Sequence, residues 1–220
     1  MSLQLFYHPL SSYSMKALIA LYENGTPFEY RMLSPDHTEN YAQFAKMWPI
    51  RKFPLLLDGD QMVVEASVVI EHLAVNYPGP VRLLPADPKA ALEVRMMDRF
   101  FDNYISTPQQ KLVEDVLRPA DKRDPHGVAE ARSKLETAYA WLDKVMAHRT
   151  WAAGDEFSMA DCAAAPFLLY AHWSHPIPAK HEHVMAYLAR LRARPSFARC
   201  WAEAKQYRHM FPLGVPADEE

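Results

Sequence analysis

Hydrophobic positions in the first third of the chain change period several times. Leu3 to Tyr7 is a short apolar strand that stops before Pro9, whose missing N–H cannot join a sheet ladder. Met15, Leu18, Ile19 and Tyr22 then recur at helical spacing. Ser11 or Ser12 stands where a helix cap belongs, and Gly25 where a helix ends. Thr26-Pro27 leads into an extended run over 28–32, which completes the outline of a βαβ unit. A short helix is expected over 40–46. Two apolar runs, 53–57 and 62–65, are joined at Asp58-Gly59, a hairpin signal. Residues 66–76 read as a helix with Ala66, Val69, Ile70 and Leu73 on one face.

The pattern then breaks. Tyr77-Pro78-Gly79-Pro80 and Leu84-Pro85-Ala86-Asp87-Pro88 place two proline clusters close together, as in a linker. Strand signals vanish beyond it, and helices are expected over 89–117, 126–148, 159–170, 181–192 and 197–208. The predicted fold class is α/β plus all-α. A mixed four-stranded sheet in residues 1–78 leads through a linker at 79–88 to a helical bundle in residues 89–220.

Composition narrows the function classes. Half of the 220 residues are hydrophobic and 23% are charged, as in globular proteins. A formal net charge of -3 supplies no basic surface for a phosphate backbone, so nucleic acid is excluded as an expected partner. The start lacks a basic segment followed by an apolar run, so no signal peptide is expected. No apolar stretch approaches the roughly 20 residues that span a bilayer, so no membrane partner is expected either. Cys162 and Cys200 lie far apart and form no disulfide framework, which suits a reducing, cytoplasmic setting. His172, His175, His181 and His183 are close in sequence but are broken up by proline and turn residues, so no metal site is expected.

Three local patterns carry more information. Phe157-Ser158-Met159-Ala160-Asp161 is a helix start. Ser158 is the cap, Asp161 the reciprocal acid, and their role is structural. Lys52-Phe53-Pro54-Leu55-Leu56 opens a strand on a proline and leads through Asp58-Gly59 to Glu65, Ala66 and Ser67 at a helix mouth. X–Pro bonds are mostly trans; a cis bond at Pro54 would turn the Phe53 backbone outward, where an extended peptide can pair with it. Helix N-termini favour anions, so the mouth of that helix suits a carboxylate. In Tyr7-His8-Pro9-Leu10-Ser11-Ser12-Tyr13-Ser14, hydroxyls crowd a strand-to-helix turn. Such hydroxyls either cap the helix or donate to a bound thiolate, lowering its pKa.

Together these motifs resemble the cytosolic glutathione transferase family over nearly the whole chain. That family carries K-V-P-x-L with a cis-proline, then D-G and E-S, and later G-D-x-F-S-x-A-D. This chain has Lys52-Phe53-Pro54-Leu55-Leu56, Asp58-Gly59, Glu65 and Gly154-Asp155-Glu156-Phe157-Ser158-Met159-Ala160-Asp161. The resemblance implies a thioredoxin-like first domain that binds glutathione as co-substrate at Lys52, Phe53, Pro54, Glu65, Ala66 and Ser67. Arg51 and Lys52 suit the glycyl carboxylate.

Ser11 is the implied thiol activator, in surroundings similar to the S-S-C-S-W-R-V of the zeta class, and Tyr7 is the alternative. No cysteine lies at this turn, unlike in cysteine-type members. The family's serine after the glutamate is Ala66 here, a departure that Ser67 or the Ala66 N–H is expected to cover. A small apolar electrophile is expected between the domains, near Tyr104, Gln110, Tyr207 and Phe211. The family pairs as two-fold homodimers. Alternatives to conjugation are a glutathione-dependent isomerase of a maleyl-type acid and a non-catalytic binding module.

Overall fold

In a computed structural model of the protein, residues 3–217 are described. The first half runs β1 (Leu3–Tyr7), α1 (Ser12–Glu23), β2 (Phe28–Met32), α2 (Thr38–Met47), β3 (Leu55–Asp58), β4 (Gln61–Val64) and α3 (Ala66–Asn76). The strands lie in the order β2-β1-β3-β4, with β1 parallel to β2 and antiparallel to β3, and β3 antiparallel to β4. Alternation along β1 sends Leu3, Leu5 and Tyr7 into the main core with α1 and α3. Phe6 points the other way, into a smaller cluster with Leu33, Phe44 and Leu55. Gly25 closes α1 at φ 58°, a conformation that costs glycine little. The short helix expected over 40–46 extends one turn further, as α2.

Among the described residues the regular elements of the second half are helices: α4 (Pro88–Phe100), α5 (Thr107–Val116), α6 (Pro125–Met146), α7 (Met159–Ser174), α8 (Glu182–Ala193) and α9 (Pro195–Glu203), with 3₁₀ turns at Ala120–Lys122 and Lys205–Met210. The run expected as one helix over 89–117 is divided. A π turn, Phe101–Ser106, separates α4 from α5, and the Thr107 N–H reaches back to the Asp102 carbonyl. Pro108 supplies the reason, because it has no N–H for the preceding turn and favours the start of a new helical segment.

Helix α7 is buried along almost all of its length and packs on α1, α4 and the π turn, so it ties the two halves together. Its start is organised by Asp161. That carboxylate accepts from Ser158 N–H at 2.9 Å, Ser158 O–H at 3.0 Å, Ala152 N–H at 2.8 Å and Tyr187 O–H at 2.5 Å. Four donors satisfy a carboxylate with no exposed surface, which would otherwise be costly to bury. Among the described residues no helix is long and apolar enough to cross a membrane.

Candidate functional site

A cleft of about 520 Å³ opens between the two halves, within the size range of small-molecule sites. Its sheet-side wall is Ser11, Tyr13, Arg51, Lys52, Phe53, Pro54, Glu65 and Ala66. The helical half adds Arg99, Asp102, Asn103 and Gln110.

Ser11 is the N-cap of α1, where its Oγ accepts from Ser14 N–H at 3.2 Å. Its own O–H makes no hydrogen bond among the described residues and is free to donate into the cleft. A thiol beside it would also face the positive end of a twelve-residue helix. On the same sheet-side wall the Phe53–Pro54 peptide bond is cis, and the Phe53 N–H and C=O have no partner among the described residues. They are available to an extended peptide laid along the sheet edge.

Arg51 (φ 57°) and Glu65 (φ 70°) are the two non-glycine residues with positive φ among those described, and both line this cleft. Each such residue stores roughly 1–3 kcal/mol of backbone strain, which the surrounding fold must hold. Backbone strain of this kind clusters at ligand clamps and active sites. Glu65 caps α3 without a side-chain hydrogen bond to the helix, so its carboxylate stays available.

Several residues expected at the site stand elsewhere. Tyr7 is buried in the core against the Tyr30 ring and does not line the cleft. Burial, reinforced by the negative Glu203, holds its phenol well above the ordinary range. Ser67 also lies outside the lining, where its hydroxyl is engaged by Lys16 and Asp98. Tyr104 faces a different, largely apolar cavity with Met96, Phe100 and Trp141. Tyr207 packs edge-on against His8, and Phe211 is buried against Tyr170 and Trp173. Gln110, expected near the second substrate, does line the cleft. Tyr13 lines it too, accepts from Ser106 O–H at 3.3 Å, and has its phenol pushed up by burial.

Arg99, Asp102 and Asn103 are the contributors that the sequence reading missed. Their 99, 102, 103 spacing was the available signal, a polar stripe opposite Phe100, Phe101 and Tyr104 on one helical run. Arg99 and Asp102 belong to a charged cluster under the cleft. The fully buried Lys16 ammonium donates to Asp102 at 2.9 Å and to Ser67 at 2.8 Å, forms an ion pair with Asp98 at 2.7 Å, and lies 5.6 Å from the Phe167 ring centroid. Burial raises the Asp102 carboxyl above its usual range, opposed by the Lys16 charge. No three His, Cys, Asp or Glu side chains are grouped to hold a metal among the described residues.

A mixed four-stranded sheet with a cis-proline ahead of β3, closed by an all-helical half, defines a thioredoxin-like protein with a helical second domain. The model of the glutathione S-transferase N-terminal domain matches residues 5–81, and that of the C-terminal domain matches residues 125–190. Glutathione S-transferase 3 of Zea mays is 31% identical over 209 residues, covering 90% of this chain and 92% of that protein. A stringent starvation protein A homolog of Haemophilus ducreyi is 26% identical over 199 residues, covering 90% and 88%. Among solved structures, a glutathione S-transferase of Methylobacterium radiotolerans in complex with glutathione sulfonate superposes with a TM-score of 0.78. It is 29% identical and spans 91% of this chain and 94% of that one. This chain belongs to the glutathione S-transferase family of enzymes.

Proposed function

We propose that the chain binds glutathione in the cleft and activates its thiol through Ser11 for attack on a small electrophile. One observation carries this reading: Ser11, with an uncommitted O–H at a helix N-terminus, shares a cleft with the open Phe53 backbone and the start of α3. The tripeptide backbone pairs with Phe53, Arg51 and Lys52 take the glycyl carboxylate, and the γ-glutamyl end lies against Glu65 and Ala66. Ser11 then donates to the sulfur, and a hydrogen bond to a thiolate stabilises it over the thiol. Residues 1–78 hold the peptide, residues 89–220 shape the second site, and 79–88 connect them.

The remaining wall, Tyr13, Asn103 and Gln110, is rich in hydrogen-bonding groups. This wall supports an electrophile bearing carbonyl or hydroxyl oxygens, beside the apolar one that the resemblance implies. A maleyl-type diacid fits less well. The cleft is lined by three cations, Arg51, Lys52 and Arg99, and the two glutathione carboxylates draw on them first.

Calorimetric titration with glutathione, followed by a conjugation assay across polar and apolar electrophiles, tests the reading. Binding in the millimolar range or tighter, with turnover of polar acceptors, is the expected outcome. An absence of binding at millimolar glutathione removes the transferase reading and favours a binding module.

Homodimer formation is proposed from one face of the molecule. Val68 and Val75 of α3 and Leu92 and Met96 of α4 are exposed and apolar, the two helices are joined by the Glu71–Arg95 pair between these positions, and Met96 and the exposed Tyr104 line the Phe100–Trp141 cavity. Such patches are rare on monomers, and a two-fold copy would cover them. Sedimentation equilibrium is expected to give twice the 25.3 kDa chain mass, falling to the monomer value in Met96→Glu. Unchanged association in that variant rejects this face. A cytoplasmic setting is proposed because Cys162 and Cys200 are both free thiols.

A further inference from the structure

The cleft lacks the serine that the family motif places after its glutamate, and Ala66 stands there instead. Ser67 does not replace it, because its hydroxyl is held by Lys16 at 2.8 Å and donates to Asp98 at 2.7 Å. What does reach this spot is a side chain from the helical half. The Arg99 guanidinium lies in the same cleft as Glu65 and Ala66, and its Nη2 contacts the Ser67 hydroxyl. Arg99 therefore touches the residue on one side of Ala66, while Glu65 is the residue on the other.

The guanidinium is held firmly on one edge only. Nη2 donates to Asp98 at 2.7 Å and also to Asp102, and Nε donates to Asp98 at 3.2 Å. Nη1 makes no hydrogen bond among the described residues, and half of the Arg99 side chain is exposed. Within the cluster, Lys16 and Arg99 balance Asp98 and Asp102, so the cluster has no net charge to repel an anion. Across Ala66, the Glu65 carboxylate makes no ion pair among the described residues. A pair of open N–H donors and an open carboxylate thus flank the first turn of α3, whose N–H groups favour an anion. An α-amino acid end, with a carboxylate and an ammonium on one carbon, has the matching charges.

We propose that Arg99 binds the α-carboxylate of the γ-glutamyl residue of glutathione, in the role of the missing serine, while Glu65 receives the adjoining ammonium. The assignment rests on the reading of this cleft as the glutathione site. Arginine is suited to it because its planar fork meets a carboxylate with directed N–H groups, and Asp98 and Asp102 have already fixed its orientation.

The test removes the carboxylate from the ligand and the guanidinium from the protein in turn. Glutathione and 4-aminobutyryl-cysteinylglycine, which lacks only that carboxylate, are titrated into wild type, Arg99→Gln and Arg99→Lys. Wild type is expected to bind the truncated peptide about 10- to 100-fold more weakly, the range for a charge-assisted hydrogen bond. In Arg99→Gln the two peptides are expected to bind alike, with Arg99→Lys intermediate. A variant that keeps the full wild-type preference overturns the assignment. Wild type that binds neither peptide instead removes the glutathione reading itself. If the variants do not fold, a crystal structure of the wild-type glutathione complex decides. Nη1 within about 3.2 Å of the carboxylate supports the proposal, and a separation beyond hydrogen-bond range refutes it.

Discussion

Replacing Ser11 with alanine is expected to lower kcat/KM by about 10²–10³, the cost of deleting one donor aimed at a developing or resident anion. Glutathione affinity is expected to change little, since the tripeptide is held by its backbone and two charged ends. The reasoning starts from the free thiol, whose pKa of about 8.5 leaves it mostly protonated at neutral pH. In the cleft two features favour the thiolate: the Ser11 O–H, which has no competing acceptor, and the N-terminus of α1. Alanine removes the first and keeps the second, so the bound thiol should titrate at higher pH than in wild type. The deficit in rate should therefore shrink as pH rises. Thiolate absorbance of the glutathione complex, recorded against pH, reads this directly. Tyr7→Phe is the control and should leave the absorbance unchanged, because Tyr7 lies in the core outside the cleft. The informative rival is Tyr13, whose ring does line the cleft. Loss of thiolate in Tyr13→Phe but not in Ser11→Ala would transfer the activating role to the phenol.

What the sequence revealed and what it hid divide along a physical line. Local signals were legible. Residues 66–76 were read as a helix and form α3 (Ala66–Asn76), because an apolar face at period 3.6 and a preceding strand fix both ends. Leu3–Tyr7 and Phe28–Met32 were legible as strands because short extended runs are bounded there by prolines. The Lys52-to-Glu65 stretch was readable as a candidate peptide edge from the motif alone. Contributions from across the fold were not. Arg99, Asp102 and Asn103 lie on a helix whose polar stripe looks solvated until the sheet is placed against it. Lys16 is the sharpest case. A lysine in an amphipathic helix normally keeps its ammonium in water, yet here it has no exposed surface. Its partners Asp98 and Asp102 lie more than eighty positions away, so no local pattern links them. The π turn was hidden in the same way, because periodicity does not register a single extra residue per turn.

Lys16→Met is expected to destabilise the fold by about 3–5 kcal/mol, the cost of removing one member of a buried ion pair and leaving the other charged. For a chain of this size that corresponds to a fall in Tm on the order of 10 °C. Methionine roughly fills the stem volume, so the loss comes from charge rather than from a cavity. Without the ammonium, Asp98 and Asp102 keep the Arg99 cation and the Ser67 hydroxyl, and the half-exposed guanidinium is expected to be drawn inward, away from the cleft. The pH dependence separates this from a packing defect. Burial already holds the Asp102 carboxyl above its ordinary range, with the Lys16 charge pulling the other way. Deleting Lys16 lets it rise further in the folded state than in the unfolded one. A carboxyl whose folded pKa is raised costs no stability below its unfolded pKa, and its full penalty appears once pH exceeds the folded pKa. The deficit of Lys16→Met relative to wild type should therefore narrow as pH is lowered through the acidic range, and Asp98→Asn in the same background should recover part of it at neutral pH. Urea unfolding midpoints at several pH values measure both effects. A deficit that does not vary with pH and is not relieved by Asp98→Asn would assign Lys16 to packing. The charged cluster would then hold neither the domain junction nor the Arg99 fork.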